Sequence, residues 1–172
     1  MAIVRLNHAV LFVSDLEQSR RFYEDVLLFV ELSEMAAIPN AAFFRAPRST
    51  NDHDLGLFAM GADALPSRAG RETVGLYHLA WEVDTLAELA SYQERLARAG
   101  ALTGASNHGT TKSLYGQDPD GIEFEIAWIV PRASLDEDAL HGRSTIRRLA
   151  LEDEIAKYGA TTQGGIGVSR KA

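Results

Sequence analysis

The chain contains no cysteine. Disulfides, thiolate nucleophiles and Cys-ligated zinc or iron–sulfur centres are therefore excluded, and any metal must sit on imidazole nitrogen and carboxylate oxygen. Positive charge is scarce: 17 Lys and Arg stand against 24 Asp and Glu, a formal net charge of −7 over 172 residues. A phosphate backbone or an anionic membrane surface needs clustered cations, so neither nucleic acid nor a membrane is an expected partner. No apolar run reaches the ~18 residues of a membrane span. The opening Met1-Ala2-Ile3-Val4-Arg5 lacks the basic region and apolar core of a secretion signal, which makes a cytoplasmic location the expectation. A glycine-rich phosphate loop is also missing. What is present is an ordinary globular balance, 46% apolar and 24% charged, enough for one domain.

The chain is similar to itself at an offset of 70 residues. Val4 falls on Val74, Leu6 on Leu76, His8 on His78, Val13 on Val83, Leu16 on Leu86 and Glu24 on Glu94. Each copy opens with an alternating strand: residues 4–13 place Val4, Leu6, His8, Val10 and Phe12 on one face, and 76–83 place His78, Ala80 and Glu82 on one face. A helix follows in each. Ser14 with Glu17 has the form of a capping box ahead of the stripe Leu16, Phe22, Tyr23, Val26 and Leu27. The second helix starts after Asp84, carries Leu86, Leu89, Leu96 and Ala97, and has Gly100 as its stop. Three shorter strands complete each copy, near 29–34, 41–46 and 54–60, then 101–105, 111–117 and 122–130. Asp118-Pro119-Asp120-Gly121 is the turn of the last hairpin.

The expected fold class is therefore α+β, with two βαβββ modules (about 1–65 and 71–131) pairing curved sheets into one cup within a 1–131 domain. Residues 132–159 read as a helical extension, with a capping box at Ser134 and Glu137 and an amphipathic helix over 145–158 that Gly159 stops. Residues 160–172 are small and polar and are expected to lack fixed structure. The extension is expected to pack outside the domain or on a second subunit.

Five histidines are present: His8, His53, His78, His108 and His141. Two of them, His8 and His78, occupy the same position of the two copies, and a pseudo-twofold relation would make them converge. Glu123 and Glu125 lie on one face of an otherwise apolar strand, where a carboxylate is costly unless paired or metal-bound. Glu125, between Phe124 and Ile126, is the better candidate. Two His and one carboxylate with open positions match a non-haem Fe(II) centre, and Mn(II) tolerates the same ligands.

The stretches "NHAVLFVSDLEQSRRFYEDVL", "YHLAWEVDTLAEL" and "SLYGQDPDGIEFEI" resemble the vicinal oxygen chelate superfamily of glyoxalases, bleomycin-resistance proteins and extradiol dioxygenases, over about residues 4–130. The resemblance implies a cup around a divalent metal, with His8, His78 and Glu125 as the ligands, and a homodimer. Glyoxalase I-type members add a carboxylate on the last strand of the first module. Subtracting 70 from Glu125 gives Leu55, so the triad is most similar to that of single-domain extradiol catechol 2,3-dioxygenases, enzymes that open an aromatic diol with O2. In that resemblance His53 is the acid–base histidine, oriented by Asp52 or Asp54, while His108 and Tyr115 contact the substrate oxygens. Phe43, Phe44, Phe58 and Trp128 are candidates for the pocket wall, and His141 is structural or solvated. Two other classes stay open: another metal-dependent lyase or isomerase of the superfamily, and a metal-free small-molecule binding or resistance protein.

Overall fold

The computed structural model describes Ile3 and residues 5–165. Val4, and with it one pair of the sequence repeat, lies outside the described residues, as do residues 166–172 of the tail. The chain divides into two units, Met1–Arg68 with Asp118–Gly121, and Ala69–Gln117 with Ile122–Ala172. Among the described residues, no helix is long and apolar enough to cross a membrane.

The first unit is built on a four-stranded sheet. Strand β1 (Ala9–Val13) runs parallel to β4 (Leu55–Ala59), which pairs antiparallel with β3 (Ala41–Arg45) and through it with β2 (Val30–Glu31). The strand expected from residue 4 begins only at Ala9, where β4 supplies the first partners, so His8 stands immediately before it. Leu11 and Val13 form the core face of β1, while Val10 and Phe12, on the His8 side of the alternation, stay exposed. Helix α1 (Leu16–Arg21) runs into a π-helical turn at Phe22–Val26. Its N-cap is Asp15, whose carboxylate accepts from Gln18 N at 3.0 Å, and not Ser14. Asp15 directly precedes the first helical residue, where an acceptor also meets the positive end of the helix. Glu17, the expected partner in the box, pairs with Arg21 instead. Tyr23 is buried against Phe29 and Phe44 and donates to Asp118 Oδ2 at 3.1 Å.

The second unit repeats the order. Strand β5 (His78–Glu82) is parallel to β8 (Glu123–Ile129), which pairs with β7 (Thr111–Gln117) and then β6 (Leu102–Asn107). Both sheets thus have the connectivity of a βαβββ module, as the repeat implies. Helix α2 (Leu86–Arg98) starts at a true capping box, Thr85 with Glu88, buries Leu86, Leu89 and Leu96, and is followed by Gly100 at φ 66°. The fold is α+β and glyoxalase-like.

The extension departs from its expected form. Helix α3 (Glu137–Gly142) is capped by Asp136, which accepts from Ala139 N at 2.8 Å, while Ser134 ends a short 3-10 turn. The long helix expected over 145–158 is split. Arg147–Arg148 form a strand, β9, on the free edge of β6, with Ser106 facing Arg148 and Asn107 facing Arg147. An open sheet edge offers backbone partners that amphipathic patterning cannot reveal. Helix α4 (Leu151–Tyr158) then opens with Glu152, Asp153 and Glu154, the charge its N-terminus favours. Residues 160–165, expected to lack structure, run along the second unit. Ala160 O accepts from Ala87 N, Gly164 N donates to Asp84 O, and Thr162 O accepts from Trp128 Nε1.

Candidate active site

Within the first unit, His8 and His53 lie together, with ring centroids 4.3 Å apart. Each ring is fixed through Nδ1. That of His8 meets Asn7 Oδ1 at 2.8 Å, and that of His53 meets Asp52 Oδ2 at 3.0 Å. Because both partners are acceptors, Nδ1 carries the proton and Nε2 is left as the free nitrogen of the neutral ring. Of the two aspartates near His53, Asp52 is the one that orients it. Asp54 is buried and braces the loop, accepting from Ala46 N, Ser49 Oγ and Asn51 Nδ2 at 2.8, 2.7 and 2.7 Å. Asn51 Nδ2 also donates to Asn7 O at 2.8 Å, which ties the His53 loop to the segment carrying His8.

The aromatic candidates separate by strand alternation. Phe43 meets His53 edge-on at 5.4 Å and Phe58 at 5.8 Å, so both phenylalanines share the histidine face. Phe44 points to the opposite face, fully buried near Tyr23. Trp128 is also core: it is fully buried and packs with tilted rings at 5.5 Å against Tyr158.

The second unit gathers the other candidates. His78, the first residue of β5, places Nε2 3.1 Å from Glu125 Oε2. Ser113 Oγ donates to Glu125 Oε1, so the carboxylate within this apolar strand is paired at both oxygens. Sequence reasoning missed Ser113. Its position two residues before Tyr115, on the same face of β7, was the available signal. Tyr115 lies opposite Glu125 in the ladder, 6.0 Å ring to ring from His78. Burial, then the Glu125 charge, raise its pKa, so the phenol keeps its proton at neutral pH. His108 Nε2 stands 2.9 Å from the Tyr115 hydroxyl. Glu123 shares the face of Glu125 but pairs with Gln117 at 3.5 Å. His141 is exposed and bonds Glu137 O at 2.7 Å, within α3.

The six candidates therefore form three pairs: His8 with His53, His78 with Glu125, and His108 with Tyr115. Among the described residues, no three His, Asp or Glu side chains cluster closely enough to hold a metal ion. Taken each within its own unit, the pairs His8–His53 and His78–Glu125 nonetheless have the donor chemistry of metal ligands. Two cis ligands at about 2.1 Å from an octahedral ion stand about 3.0 Å apart, close to the 3.1 Å between His78 Nε2 and Glu125 Oε2. His78 Nδ1 is buried without a hydrogen-bond partner, and the ring of His8 is held with Nε2 free.

The registers also correct the position of the first module's missing ligand. Ala80 faces Glu125 across β5 and β8, and Val10, 70 residues before Ala80, faces Gly56 across β1 and β4. The counterpart of Glu125 is thus Gly56, one residue beyond the Leu55 given by the offset. A Cβ at Gly56 would stand 3.1 Å from the Phe43 ring and 3.5 Å from Val10.

Known proteins fit this picture. The family model described as the Glyoxalase/Bleomycin resistance protein/Dioxygenase superfamily matches residues 5–126. Biphenyl-2,3-diol 1,2-dioxygenase 3 of Rhodococcus globerulus is 32% identical over 142 residues, covering 80% of this chain and 70% of that protein. Catechol-2,3-dioxygenase of Bacillus subtilis (strain 168) is 29% identical over 137 residues, 77% of this chain and 44% of that protein. The chain thus spans less than half the length of the second relative. The crystal structure of a glyoxalase/dioxygenase from Nostoc punctiforme superposes with a TM-score of 0.59 at 26% identity, over 72% of this chain and 89% of that one. The matching module topology, and a family match that runs through both modules, place the chain in the glyoxalase/bleomycin resistance protein/dioxygenase superfamily.

Proposed function

We propose that this protein is an extradiol ring-cleaving dioxygenase that opens a catechol-type vicinal diol with O2 and uses one non-haem Fe(II), for which Mn(II) can substitute. The observation that carries the reading is the His78–Glu125 pair at cis-ligand separation, on the same sheet as a protonated Tyr115 backed by His108. The similarity to two dioxygenases that act on aromatic diols supports it. His8, His78 and Glu125 would hold the iron. When bound, the metal supplies Lewis acidity toward the diol and redox chemistry toward oxygen.

The chain's own residues do the rest. Ser113 fixes the Glu125 carboxylate, and Asn7 fixes the tautomer of His8. Tyr115 donates its proton in a hydrogen bond to a substrate oxygen, and His108 Nε2 sets where that hydroxyl points. His53, with Nδ1 held by Asp52, exchanges a proton at Nε2. Imidazole suits this role because its ordinary pKa lies near neutrality. Phe58, half-buried on the His53 face and backed by the buried Phe43, offers an apolar surface to an aromatic ring. The protein is proposed to act in the cytoplasm as a homodimer.

Oxygen uptake by anaerobically Fe(II)-loaded protein, offered a panel of catechols, tests the reading. Stoichiometric uptake with a yellow ring-opened product is expected, and Glu125→Gln should lose both iron and uptake. No uptake with tightly held Zn or Ni would identify a non-oxidative lyase or isomerase. No metal retention at all would identify a binding or resistance protein.

A further inference from the structure

The extension is tied to the His108 turn by a buried polar network that the repeat does not contain. Glu154, on α4, accepts from Asn107 Nδ2 at 2.6 Å and pairs with Lys112 Nζ at 3.0 Å. Asn107 Oδ1 accepts from Gly109 N and from Lys112 Nζ, both at 2.8 Å, and Lys112 Nζ also donates to Gly109 O at 2.9 Å. Lys112 is 2% exposed, a place an ammonium group takes only when paired, as it is here by Glu154, Asn107 and Gly109. Helix α3 closes the turn from another side: a Cβ on Gly109, at φ 72°, would stand 2.2 Å from Ala139 O and 2.7 Å from Gly142 C. The residue enclosed by these restraints is His108, between Asn107 and Gly109, with its Nε2 on the Tyr115 hydroxyl.

We infer that the C-terminal extension is a positioning element of the active site, in which Glu154, through Asn107 and Lys112, sets the His108 imidazole against Tyr115. This rests on the proposed role of Tyr115 at a substrate oxygen, with His108 setting its hydroxyl. It assigns the extension a task other than outer packing, and it names Glu154, Asn107 and Lys112 as positioning residues that do not touch substrate. Strand alternation puts Lys112 on the opposite face of β7 from Ser113 and Tyr115, so the network acts through the turn and not through the pocket.

The test reads the His108 ring directly. Long-range 1H–15N spectra of the full chain, metal-free and Zn(II)-loaded, report the tautomer and hydrogen bonding of each histidine, with His108 assigned by His108→Gln. In Glu154→Ala the His108 nitrogen shifts are expected to move toward those of a free, tautomer-averaged imidazole. Glu154→Gln, which keeps the acceptor for Asn107, restores them in large part. With a turned-over catechol, Glu154→Ala should lower kcat about 10- to 100-fold with KM and iron content little changed, the scale expected of a misplaced reacting group. If Glu154→Ala does not fold, Asn107→Ser cuts the same link and leaves α4 in place. Unchanged His108 shifts in either folded variant would overturn the inference, as would equal disturbance in Glu154→Gln and Glu154→Ala. A wild-type protein that turns over no diol would refute the dioxygenase reading and leave the spectra to decide the positioning role.

Discussion

The Lys112–Glu154 pair allows a quantitative test of how the extension is held. The two charges are 3.0 Å apart, with side-chain exposures of 3% and 12%. At an effective dielectric near 20 their attraction is roughly 5.5 kcal/mol, and the Lys112 ammonium also lies 5.4 Å from the Tyr158 ring centroid. Opposing this is the loss of water around both ions, several kcal/mol for each. The balance is visible in Lys112, whose pKa is lowered because burial outweighs the pull of Glu154. The pair is therefore worth little against apolar residues of the same size, yet either half alone is a buried charge left with only neutral hydrogen-bond partners. Lys112→Met and Glu154→Leu should each cost about 3 kcal/mol, and the double variant less than about 1 kcal/mol. Urea unfolding at pH 7 measures all four corners of the cycle.

The pH dependence of the same cycle carries a sign. A folded-state lysine pKa below the unfolded value means that the unfolded chain binds more protons between the two, so stability rises with pH in that window. The rise should steepen between neutrality and about pH 10.5 in Glu154→Leu, where the lysine has lost its partner, and should disappear in Lys112→Met. Single variants that each cost under about 0.5 kcal/mol, with additive behaviour in the double, would refute the reasoning by showing a solvated pair.

Other expectations follow from single contacts. Tyr23→Phe should cost about 2 kcal/mol by urea unfolding, since the lost hydrogen bond runs to the Asp118 carboxylate. Burial, then the Asp118 charge, push the Tyr23 pKa well above its ordinary value. Its share of stability is thus present below about pH 10 and lost as pH rises above that, and the variant should flatten this alkaline decline. Gly109→Ala should cost about 2–4 kcal/mol and expose residues 132–158 to protease, because φ 72° and the Ala139 carbonyl both resist a methyl group; wild-type protease resistance in a folded variant would contradict this. His53→Phe should keep its iron, measured by metal analysis, and lower diol turnover by about 10²–10⁴-fold; unchanged turnover would remove His53 from the mechanism.

How far this molecule can be read from its sequence depends on where the information resides. The offset of 70 residues gave both modules and their connectivity, because strand alternation and helical stripes are local patterns repeated in register. The same alternation put Glu123 and Glu125 on one face of the last strand; that Tyr115 lies opposite Glu125 in the ladder is a finding of the structure. Features set by distant partners were not legible. The N-caps at Asp15 and Asp136 differ by one or two residues from the Ser–Glu boxes, since several adjacent polar residues can each offer an acceptor. The strand Arg147–Arg148 exists because β6 has a free edge, which no periodicity within 145–158 records. Ser113 and Asn7 escaped notice because a short polar residue in a strand carries no signal until its partner is known. Phe44 and Phe43 are adjacent in sequence and both buried, and only the direction of β3 puts Phe43 on the His53 face.

The register between the modules bears most directly on which member of the superfamily this chain most resembles in chemistry. Two modules of common topology have room for a carboxylate on the last strand of each, and a fourth protein ligand would favour a non-oxidative, closed coordination sphere. Here the second module has Glu125 at that position, and the first has Gly56. The space a Gly56 side chain would need is already taken by the Phe43 ring at 3.1 Å and Val10 at 3.5 Å. That ring in turn packs edge-on against His53 and Phe58. Glycine at this position accordingly does two things: it offers no ligand, and it leaves room for an aromatic side chain against the histidine proposed to carry the proton. A carboxylate placed at residue 56 would have to displace Phe43. The absence of a carboxylate on β4 is therefore built into the packing of β3, β4 and His53, and it is consistent with the open coordination that the proposed dioxygenase reading requires.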